Sequence, residues 1–296
     1  MIKSFFDKYN IEYNENASLK KYNTYKIDAT CNYLVFPKDE EELILILKEI
    51  KDHNLKYLVL GNGSNIILSK NNYDGIVIKL DRLNKVTYND KIVSAGAGYS
   101  LIKLAIDTIE RGLSGLEFAA GIPGCVGAST AMNAGAYNSD MSSVIKEVMV
   151  LDPNLEIKTL SNQELAFEYR DSFLKKHKEY IVLSTTFELT DGDIESMKNQ
   201  ITERRIKRLA SQPLDMPSAG SVFRNPEGMY AGELIEKSNL KGYAIGDAKV
   251  SEKHANFIVN NGNATGKDIL ELINKIQKEV KEKYNVDLKL EQIIIE

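Results

Sequence analysis

"GIPGCVGASTAMNAGAY", residues 121–137, is an uncharged stretch of small residues in the middle of the chain. It contains four glycines and four alanines, but no Asp, Glu, Lys or Arg. Residues this small either let a helix pack tightly against a sheet or let a ligand approach the backbone closely. The stretch by itself leaves both alternatives open, so the rest of the chain has to decide between them.

A second glycine-rich loop, "GNGSN" at residues 61–65, follows a strand that we predict at residues 56–60. Consecutive backbone amides in such a loop can converge on a phosphate, although a plain tight turn is the alternative. Ile66 stands where a dinucleotide-binding fingerprint has its third glycine, and the Lys-Ser/Thr pair of a P-loop is missing, which excludes both motifs. Two uncharged glycine-rich loops in one domain favour a bulky ligand with phosphates and flat rings, such as FAD.

The composition is typical of a soluble globular protein. The chain has 296 residues, of which 43% are hydrophobic and 27% charged, and this length predicts two domains. The 38 Lys and Arg residues nearly balance the 42 Asp and Glu residues, and the net charge of −4 argues against a nucleic-acid or membrane-surface partner.

The cysteines and histidines are few and scattered. The two cysteines form no CxxC pair, which indicates a reducing compartment, and the three isolated histidines predict no metal site. The N-terminal sequence lacks the pattern of a signal peptide, and no apolar run approaches membrane length. We therefore expect a cytoplasmic protein.

Hydrophobic periodicity predicts alternating helices and strands. A strand at residues 31–37, an amphipathic helix at 38–54 and the strand at 56–60 begin the chain, and a turn is predicted at 72–75. Later elements are predicted as follows: strands at 75–80, 85–89 and 91–98, a helix at 100–113, a hairpin at 144–161, a strand at 180–189, a helix at 193–210, helices at 231–240 and 265–285, and strands at 255–261 and 286–296.

The segment at residues 211–220 contains two prolines with Ser and Gly, and it is the best candidate for a linker. We expect one domain at residues 1–210, made of two α+β subdomains that divide near residue 70. A smaller domain is expected at residues 221–296.

Six segments occur in an order that carries a family resemblance: "GNGSN", "GLEFAAGIPGCVGASTAMNAGAY", "YRDSFLK", "QPLDMPSAGSVFRNP", "AGELIEKSNLKGYAIGDAKVSEKHANFIVNNGNAT" and "LKLEQ". With them the chain closely resembles the UDP-N-acetylenolpyruvoylglucosamine reductase family, also called UDP-N-acetylmuramate dehydrogenases. The resemblance extends from about Tyr22 to Glu296, and its length is similar to that of the shorter subclass, which lacks a substrate-covering loop.

The resemblance implies an α+β fold with a vanillyl-alcohol-oxidase-type (PCMH-type) FAD-binding domain, followed by a small α+β substrate-binding domain. It implies bound FAD, NADPH as co-substrate, and reduction of UDP-N-acetylglucosamine enolpyruvate to UDP-N-acetylmuramate for peptidoglycan. Hydride would pass from flavin N5 to the enolpyruvyl β-carbon. The alternatives are another flavin oxidase or dehydrogenase of the same fold and a non-catalytic nucleotide-sugar binder that kept the fold. No obligate protein partner is expected.

Three residues match the family's catalytic positions. Arg170 would stabilise the enolate that forms on the substrate, because its cationic fork suits a carboxylate. Ser221 would protonate the α-carbon. Glu291 would stabilise the enolate in a protonated form, favoured by the nearby substrate carboxylate, or would orient the arginine. The corresponding structural alternatives are a surface ion pair of Arg170 with Asp171 or Glu168, a turn serine, and an exposed strand residue.

The resemblance also implies contacts with cofactor and substrate. The expected FAD-binding residues are Gly61, Asn62, Gly63, Ser64, Asn65, Gly121, Ile122, Pro123, Gly124, Gly127, Ala128, Ser129, Asn133, Gly135 and Ala136. The expected substrate contacts are Tyr169, Arg224 and Asn225.

Some positions depart from the family pattern or take a structural interpretation. Asp28 and Ala29 replace a glycine pair, Cys125 begins an unusual flavin loop, and Asp247 replaces a common glycine. We interpret the basic cluster of Arg204, Arg205, Lys207 and Arg208 as a solvated helix face, and His254 as structural. Gly127→Val should lose flavin while the chain still folds.

Overall fold

The computed structural model describes residues 2–296, and this part of the chain contains eight α-helices. They are α1 Ile2–Lys8, α2 Glu40–Asp52, α3 Leu101–Glu110, α4 Val126–Ala131, α5 Phe173–Lys176, α6 Ile194–Ser211, α7 Ala231–Lys237 and α8 Gly266–Tyr284. Within these residues, no helix combines the length with the apolar sequence that a bilayer crossing needs.

The strands are short. They are β1 Tyr13–Ser18, β2 Thr30–Val35, β3 Tyr57–Val59, β4 Ile66–Leu68, β5 Asn72–Ile78, β6 Val86–Asn89, β7 Ile92–Gly96, β8 Leu113–Ser114, β9 Gly135–Ala136, β10 Ser139–Asp140, β11 Ile145–Leu151, β12 Ile157–Ser161, β13 Ile181–Glu188, β14 Thr190–Asp191, β15 Ala244–Ile245, β16 Ala248–Val250, β17 Ile258–Asn260 and β18 Ile293–Ile295.

Local sequence chemistry explains where the two main amphipathic helices begin and end. The Asp39 side chain accepts a hydrogen bond from the Glu42 N–H at 2.8 Å and so caps the start of α2. Thr265 and Asp268 form a reciprocal capping box at the start of α8. Asn285 ends α8 with a left-handed backbone, at φ 56°.

The strands form sheets of different sizes. A five-stranded antiparallel sheet has the order β12-β11-β13-β7-β6, and a four-stranded sheet has the order β1-β2-β5-β3. A three-stranded antiparallel sheet has the order β15-β16-β17, and β18 pairs in parallel with β4.

The chain divides into two compact units. The first unit comprises the described residues up to Glu15, Tyr33–Asn62 and Gly75–Arg205. Its core contains apolar residues of α2, α3 and the five-stranded sheet, among them Ile46, Leu104, Val148 and Phe187. The second unit comprises Asn16–Asn32, Gly63–Asp74 and Ile206–Glu296. Its buried side chains include Tyr25, Ile67, Phe223, Ile258 and Ile276.

Most predicted elements are confirmed, including the hairpin β11–β12. The predicted turn at residues 72–75 is wrong, because β5 already begins at Asn72. Side chains of the neighbouring strand hold its first residues: Thr30 Oγ1 donates to Asn72 Oδ1 at 2.8 Å, and Asn32 Nδ2 donates to Asp74 Oδ1 at 2.7 Å. The sequence reasoning also missed α1, and most of the predicted C-terminal strand is irregular, with β18 restricted to Ile293–Ile295.

Candidate active site

In the first unit, Gly61 and Asn62 of the first glycine-rich loop meet the second glycine-rich loop. A Cβ added at Gly61 would lie 2.8 Å from Ala128 Cβ and 3.0 Å from Cys125 Sγ, so only glycine permits this approach. Asn62 Nδ2 donates to the Pro123 carbonyl at 3.3 Å. Asn62, Pro123 and Ala128 are also exposed, so the surface where the loops meet is open to a ligand.

The backbone of the first loop offers donors to such a ligand. Within residues 2–296, the N–H groups of Asn62, Gly63, Ser64 and Asn65 donate to no carbonyl or side chain, although Gly63 is buried. Successive backbone N–H groups of this kind form a concave site for an anion. The loop therefore fits the pyrophosphate of a dinucleotide cofactor.

The second loop is tightly packed at its centre and more accessible at its start. Its centre packs: the Gly127 N–H donates to the Ala97 carbonyl at 2.9 Å, and a Cβ at Gly127 would lie 2.8 Å from Ala97 Cβ. Ser129 is 4% exposed and lies beneath Gly124. Gly121 and Ile122 are half-buried, and together with exposed Pro123 they form the more accessible part of this loop.

Asn133 and Gly135 connect this loop to Arg170. The Asn133 side chain is 1% exposed; it donates to the Glu168 carbonyl at 2.9 Å and accepts the Ser142 N–H at 2.9 Å. Arg170 Nη2 donates to the Gly135 carbonyl at 2.5 Å. Ala136 follows in the short hairpin β9–β10. Asn133 thus holds the turn that carries Arg170, while its contact with flavin stays a prediction.

Arg170 lies in a tight turn of the first unit. Glu168 and Asp171 pair across this turn, and Arg170 itself has a left-handed backbone with φ 56°. Its guanidinium lies 5.1 Å from the centre of the Tyr169 ring, which is 52% exposed. The Arg170 carbonyl accepts a hydrogen bond from Lys175 Nζ at 2.8 Å. Backbone and side chain are therefore both held in one orientation.

The acidic neighbours of Arg170 have another basic partner. Lys176 Nζ lies 3.6 Å from Glu168 Oε1 and 3.5 Å from Asp171 Oδ2.

Ser221 and Glu291 lie in neighbouring backbone segments of the second unit. The Glu291 N–H donates to the Val222 carbonyl at 2.8 Å, and the Arg224 N–H donates to the Lys289 carbonyl at 2.9 Å. These bonds pair the two segments in antiparallel fashion.

Asn256 supports the serine segment from the other side. Its side chain accepts the Phe223 N–H at 3.0 Å and donates to the Phe223 carbonyl at 2.8 Å. Its carbonyl accepts the Val222 N–H at 2.9 Å. The sequence analysis included Asn256 in a family motif but predicted no role for it. Its place directly after His254 and Ala255 in that motif was the only sequence signal that pointed to it.

Two further predicted residues have structural partners in the second unit. Asn65 Nδ2 donates to the Glu291 carbonyl at 3.2 Å, which ties the end of the first glycine loop to the predicted catalytic glutamate. Asn225 Oδ1 accepts the Ala231 N–H at 3.1 Å, at the start of α7.

Gln292 was missed by the sequence reasoning. Its Nε2 donates to the Ala219 carbonyl at 3.0 Å, and its Oε1 accepts the Tyr25 hydroxyl at 3.0 Å. Burial raises the pKa of Tyr25 far above its usual range, so this hydroxyl remains a donor. Gln292 thereby fixes the backbone just before Ser221.

His254 has the structural environment that its interpretation requires. Its Nδ1 accepts the Asn256 N–H at 3.2 Å, and its ring centre lies 4.8 Å from that of Phe257. Burial lowers the pKa of His254 and so favours the neutral ring that this bond needs.

The interpretation of the basic cluster as a solvated helix face is wrong for two of its members. Arg204 lies over the Tyr137 ring at 4.4 Å from its centre, and Arg208 Nε donates to Gln212 Oε1 at 3.1 Å. Both are half-buried, whereas Arg205 and Lys207 are exposed.

The departures from the family pattern fit into the structure. Ala29 is 1% exposed and its carbonyl accepts the Leu19 N–H at 2.7 Å, while exposed Asp28 lies 3.5 Å from Lys20. Asp247 Oδ2 accepts the Asn263 N–H at 2.8 Å. Cys125 is a buried free thiol.

Comparison with known proteins first defines the class. Residues 31–161 match the family model of an FAD binding domain, and residues 212–295 match that of the UDP-N-acetylenolpyruvoylglucosamine reductase C-terminal domain. A glucooligosaccharide oxidase from Acremonium strictum shares the fold alone: it is 13% identical with a TM-score of 0.52, covering 98% of this chain and 59% of that chain. The protein is therefore an FAD-binding oxidoreductase.

Two relatives specify the family. UDP-N-acetylenolpyruvoylglucosamine reductase of Bacillus pumilus is 43% identical over 95% of this chain and 93% of its own length. The crystal structure of the Thermus caldophilus reductase covers 97% of this chain and 99% of that chain, with 33% identity and a TM-score of 0.81. The chain belongs to the UDP-N-acetylenolpyruvoylglucosamine reductase family. The predicted fold class, FAD cofactor and family are confirmed.

Proposed function

We propose that this protein uses NADPH to reduce UDP-N-acetylglucosamine enolpyruvate to UDP-N-acetylmuramate, a cytoplasmic step of peptidoglycan precursor synthesis. The observation that carries the proposal is the pairing of the Ser221 and Glu291 segments, with 2.8 Å between Glu291 N and the Val222 carbonyl oxygen. This pairing keeps a hydroxyl donor and a carboxyl group in adjacent segments of the domain that the reductase family model matches.

Bound at the two glycine-rich loops, FAD would supply hydride chemistry, with NADPH as the source of the hydride and the enolpyruvyl β-carbon as its acceptor. The α-carbon then carries an electron pair that is shared with the substrate carboxylate. A proton must be added there, and the developing charge must be stabilised. These are the tasks for the protein's own residues.

Ser221 is the proposed proton donor. A serine hydroxyl is a weak acid, but the enolate that it meets is strongly basic, so a fixed position is sufficient. Asn256 and Gln292 fix the backbone on both sides of Ser221 through the bonds described above. Solvent would restore the proton after each turnover.

Arg170 is proposed to stabilise the enolate through its delocalised cation. Its contacts with the Gly135 carbonyl and the Tyr169 ring hold the guanidinium in place before substrate arrives, which lowers the cost of reorganisation. Glu291 is proposed to share this task. Its backbone is fixed from both directions, by Val222 and by Asn65.

The cofactor is proposed to contact the loops at residues 61–65 and 121–136. The loop contacts around Gly61 support this assignment, as do the N–H groups of residues 62–65, which donate to no group within residues 2–296. Tyr169, Arg224 and Asn225 are proposed to contact the nucleotide sugar.

Separate measurement of the two half-reactions tests the proposal. Under anaerobic conditions, NADPH should bleach the flavin absorbance of the purified protein, and the enolpyruvyl substrate should restore it. Ser221→Ala should slow the second step far more than the first. Ser218→Ala, three residues earlier, is the matched control and should slow neither.

The alternative function, that of another flavin oxidase or dehydrogenase, predicts other results. A flavin that bleaches but ignores the enolpyruvyl substrate, and that reoxidises rapidly in oxygen with peroxide formation, would identify another flavin oxidase or dehydrogenase. Equal slowing of both steps by Ser221→Ala would remove Ser221 from the role of proton donor.

A further inference from the structure

Lys79 is a buried cation beside the glycine-rich loops, and neither the family resemblance nor the proposed mechanism uses it. It follows β5 and its side chain is only 3% exposed. Its backbone N–H donates to the Val35 carbonyl at 2.9 Å, so its position is set by the sheet. Burying an ammonium group costs free energy unless it has well-placed partners.

The partners of Lys79 connect it to the first loop. Its Nζ donates to the Gly61 carbonyl at 2.5 Å and lies 3.1 Å from Asp81 Oδ1. The Asp81 side chain is 50% exposed, so solvent screens it more strongly than it screens the lysine. The ion pair therefore leaves a net positive field on the buried side.

The second loop lies within reach of this field. Gly61, which Lys79 holds, is the residue that contacts Cys125 and Ala128. Burial raises the pKa of the Cys125 thiol, and the charge of Lys79 opposes that rise while the charge of Asp81 reinforces it. Lys79 thus holds the first loop through a hydrogen bond and acts on the second loop through its charge.

We propose that Lys79 is a positioning residue for FAD that holds the Gly61 turn against the second loop and raises the reduction potential of the bound flavin. Reduction adds negative charge to the cofactor, and a buried cation beside the loops proposed to bind it favours that charge. The inference concerns the cofactor and rests only on the FAD-binding part of the proposed function. Failure of the enolpyruvyl substrate to react would leave it standing.

The test compares Lys79→Met, Lys79→Arg and Asp81→Asn in the full-length protein. FAD affinity is measured by flavin fluorescence during titration of FAD into deflavinated protein. The reduction potential is measured on each reconstituted holoprotein by equilibration with a reference dye, and circular dichroism checks the fold.

Lys79→Met should weaken FAD binding about tenfold or more, as expected for the loss of one charged hydrogen bond. Its reduction potential should fall, by about 30 mV for each tenfold loss that is selective for reduced FAD. Lys79→Arg should largely restore both. Asp81→Asn removes only a half-exposed carboxylate and should shift the potential in the opposite direction, upward.

Unchanged affinity and potential in Lys79→Met would overturn the proposal. So would an equal loss of affinity for oxidised and reduced FAD with no shift in potential, because that result marks a purely structural lysine. If Lys79→Met does not fold, Asp81→Asn decides: an unchanged or lower potential overturns the proposal.

Discussion

Replacement of Asn256 by leucine would test how the Ser221 segment is held. Asn256 is 4% exposed, and its amide satisfies both backbone groups of Phe223, at 3.0 and 2.8 Å. Leucine has a similar size but no polar atoms, so both groups would lose their side-chain partner in a buried place. Each buried group left unsatisfied costs about 1–3 kcal/mol, which gives a loss of about 2–6 kcal/mol in the free energy of unfolding.

The assay is urea unfolding followed by circular dichroism, with Asn261→Leu as the control because Asn261 is exposed in the same region of the chain. Asn256→Leu should unfold at a clearly lower urea concentration than the control. It should also slow flavin reoxidation by the enolpyruvyl substrate more than flavin reduction by NADPH, because the Ser221 segment loses its support. A variant as stable as the control would refute the reasoning.

Three further predictions concern the packing, the pH dependence and the arginine turn. Gly127→Ala should lower the free energy of unfolding by about 1–3 kcal/mol, because the new methyl group would lie 2.8 Å from Ala97 Cβ. Adding Ala97→Gly should recover part of this loss. A double-mutant cycle that shows no coupling between the two positions would contradict the prediction. Burial lowers the pKa of His254, so the contribution of its neutral form to stability is complete above the ordinary pKa of 6.5 and should be lost as the pH falls below that value. In thermal unfolding at several pH values, His254→Gln should reduce this dependence of stability on pH. An unchanged dependence would exclude His254 as its cause. Asn133→Ala should slow the enolpyruvyl half-reaction in stopped-flow measurements, because the turn that carries Arg170 loses the hydrogen bond from Asn133 to the Glu168 carbonyl. A rate equal to that of the unmodified protein would show that this turn keeps its conformation without Asn133.

The sequence predicted most of the fold because its strands and amphipathic helices have clear periodicity. It could not predict that β5 begins at Asn72, since Asp and Gly normally favour a turn and only pairing with the neighbouring strand overrides this. It also offered two interpretations of residues 121–137: the structure confirms tight packing at the centre of this stretch, and the close approach of a ligand stays a prediction. Gly127 packs against Ala97, while Gly61 and Pro123 border an accessible surface.

The candidate site was likewise predictable from the sequence only in part. The family resemblance pointed to Arg170, Ser221 and Glu291 because they stand in motifs that match the family's catalytic positions. The residues that hold the Ser221 segment, Asn256 and Gln292, act through hydrogen bonds between segments far apart in the chain, and the sequence does not show which backbone groups they bind. Charge alone could not separate half-buried arginines of α6 from exposed ones, because that depends on what the fold places beside each side chain.

The second unit consists of three segments from widely separated parts of the chain, and this has a consequence for how the protein is made. Its parallel pair joins β4 near residue 66 to β18 near residue 295, and Tyr25 binds Gln292. A growing chain therefore presents residues 16–32 and 63–74 long before their partners leave the ribosome. At about 5–20 residues per second, those early segments wait roughly ten seconds or more for the C-terminal strand. During that interval β4 and Tyr25 lack their C-terminal partners, so a truncation that removes β18 should destabilise the second unit.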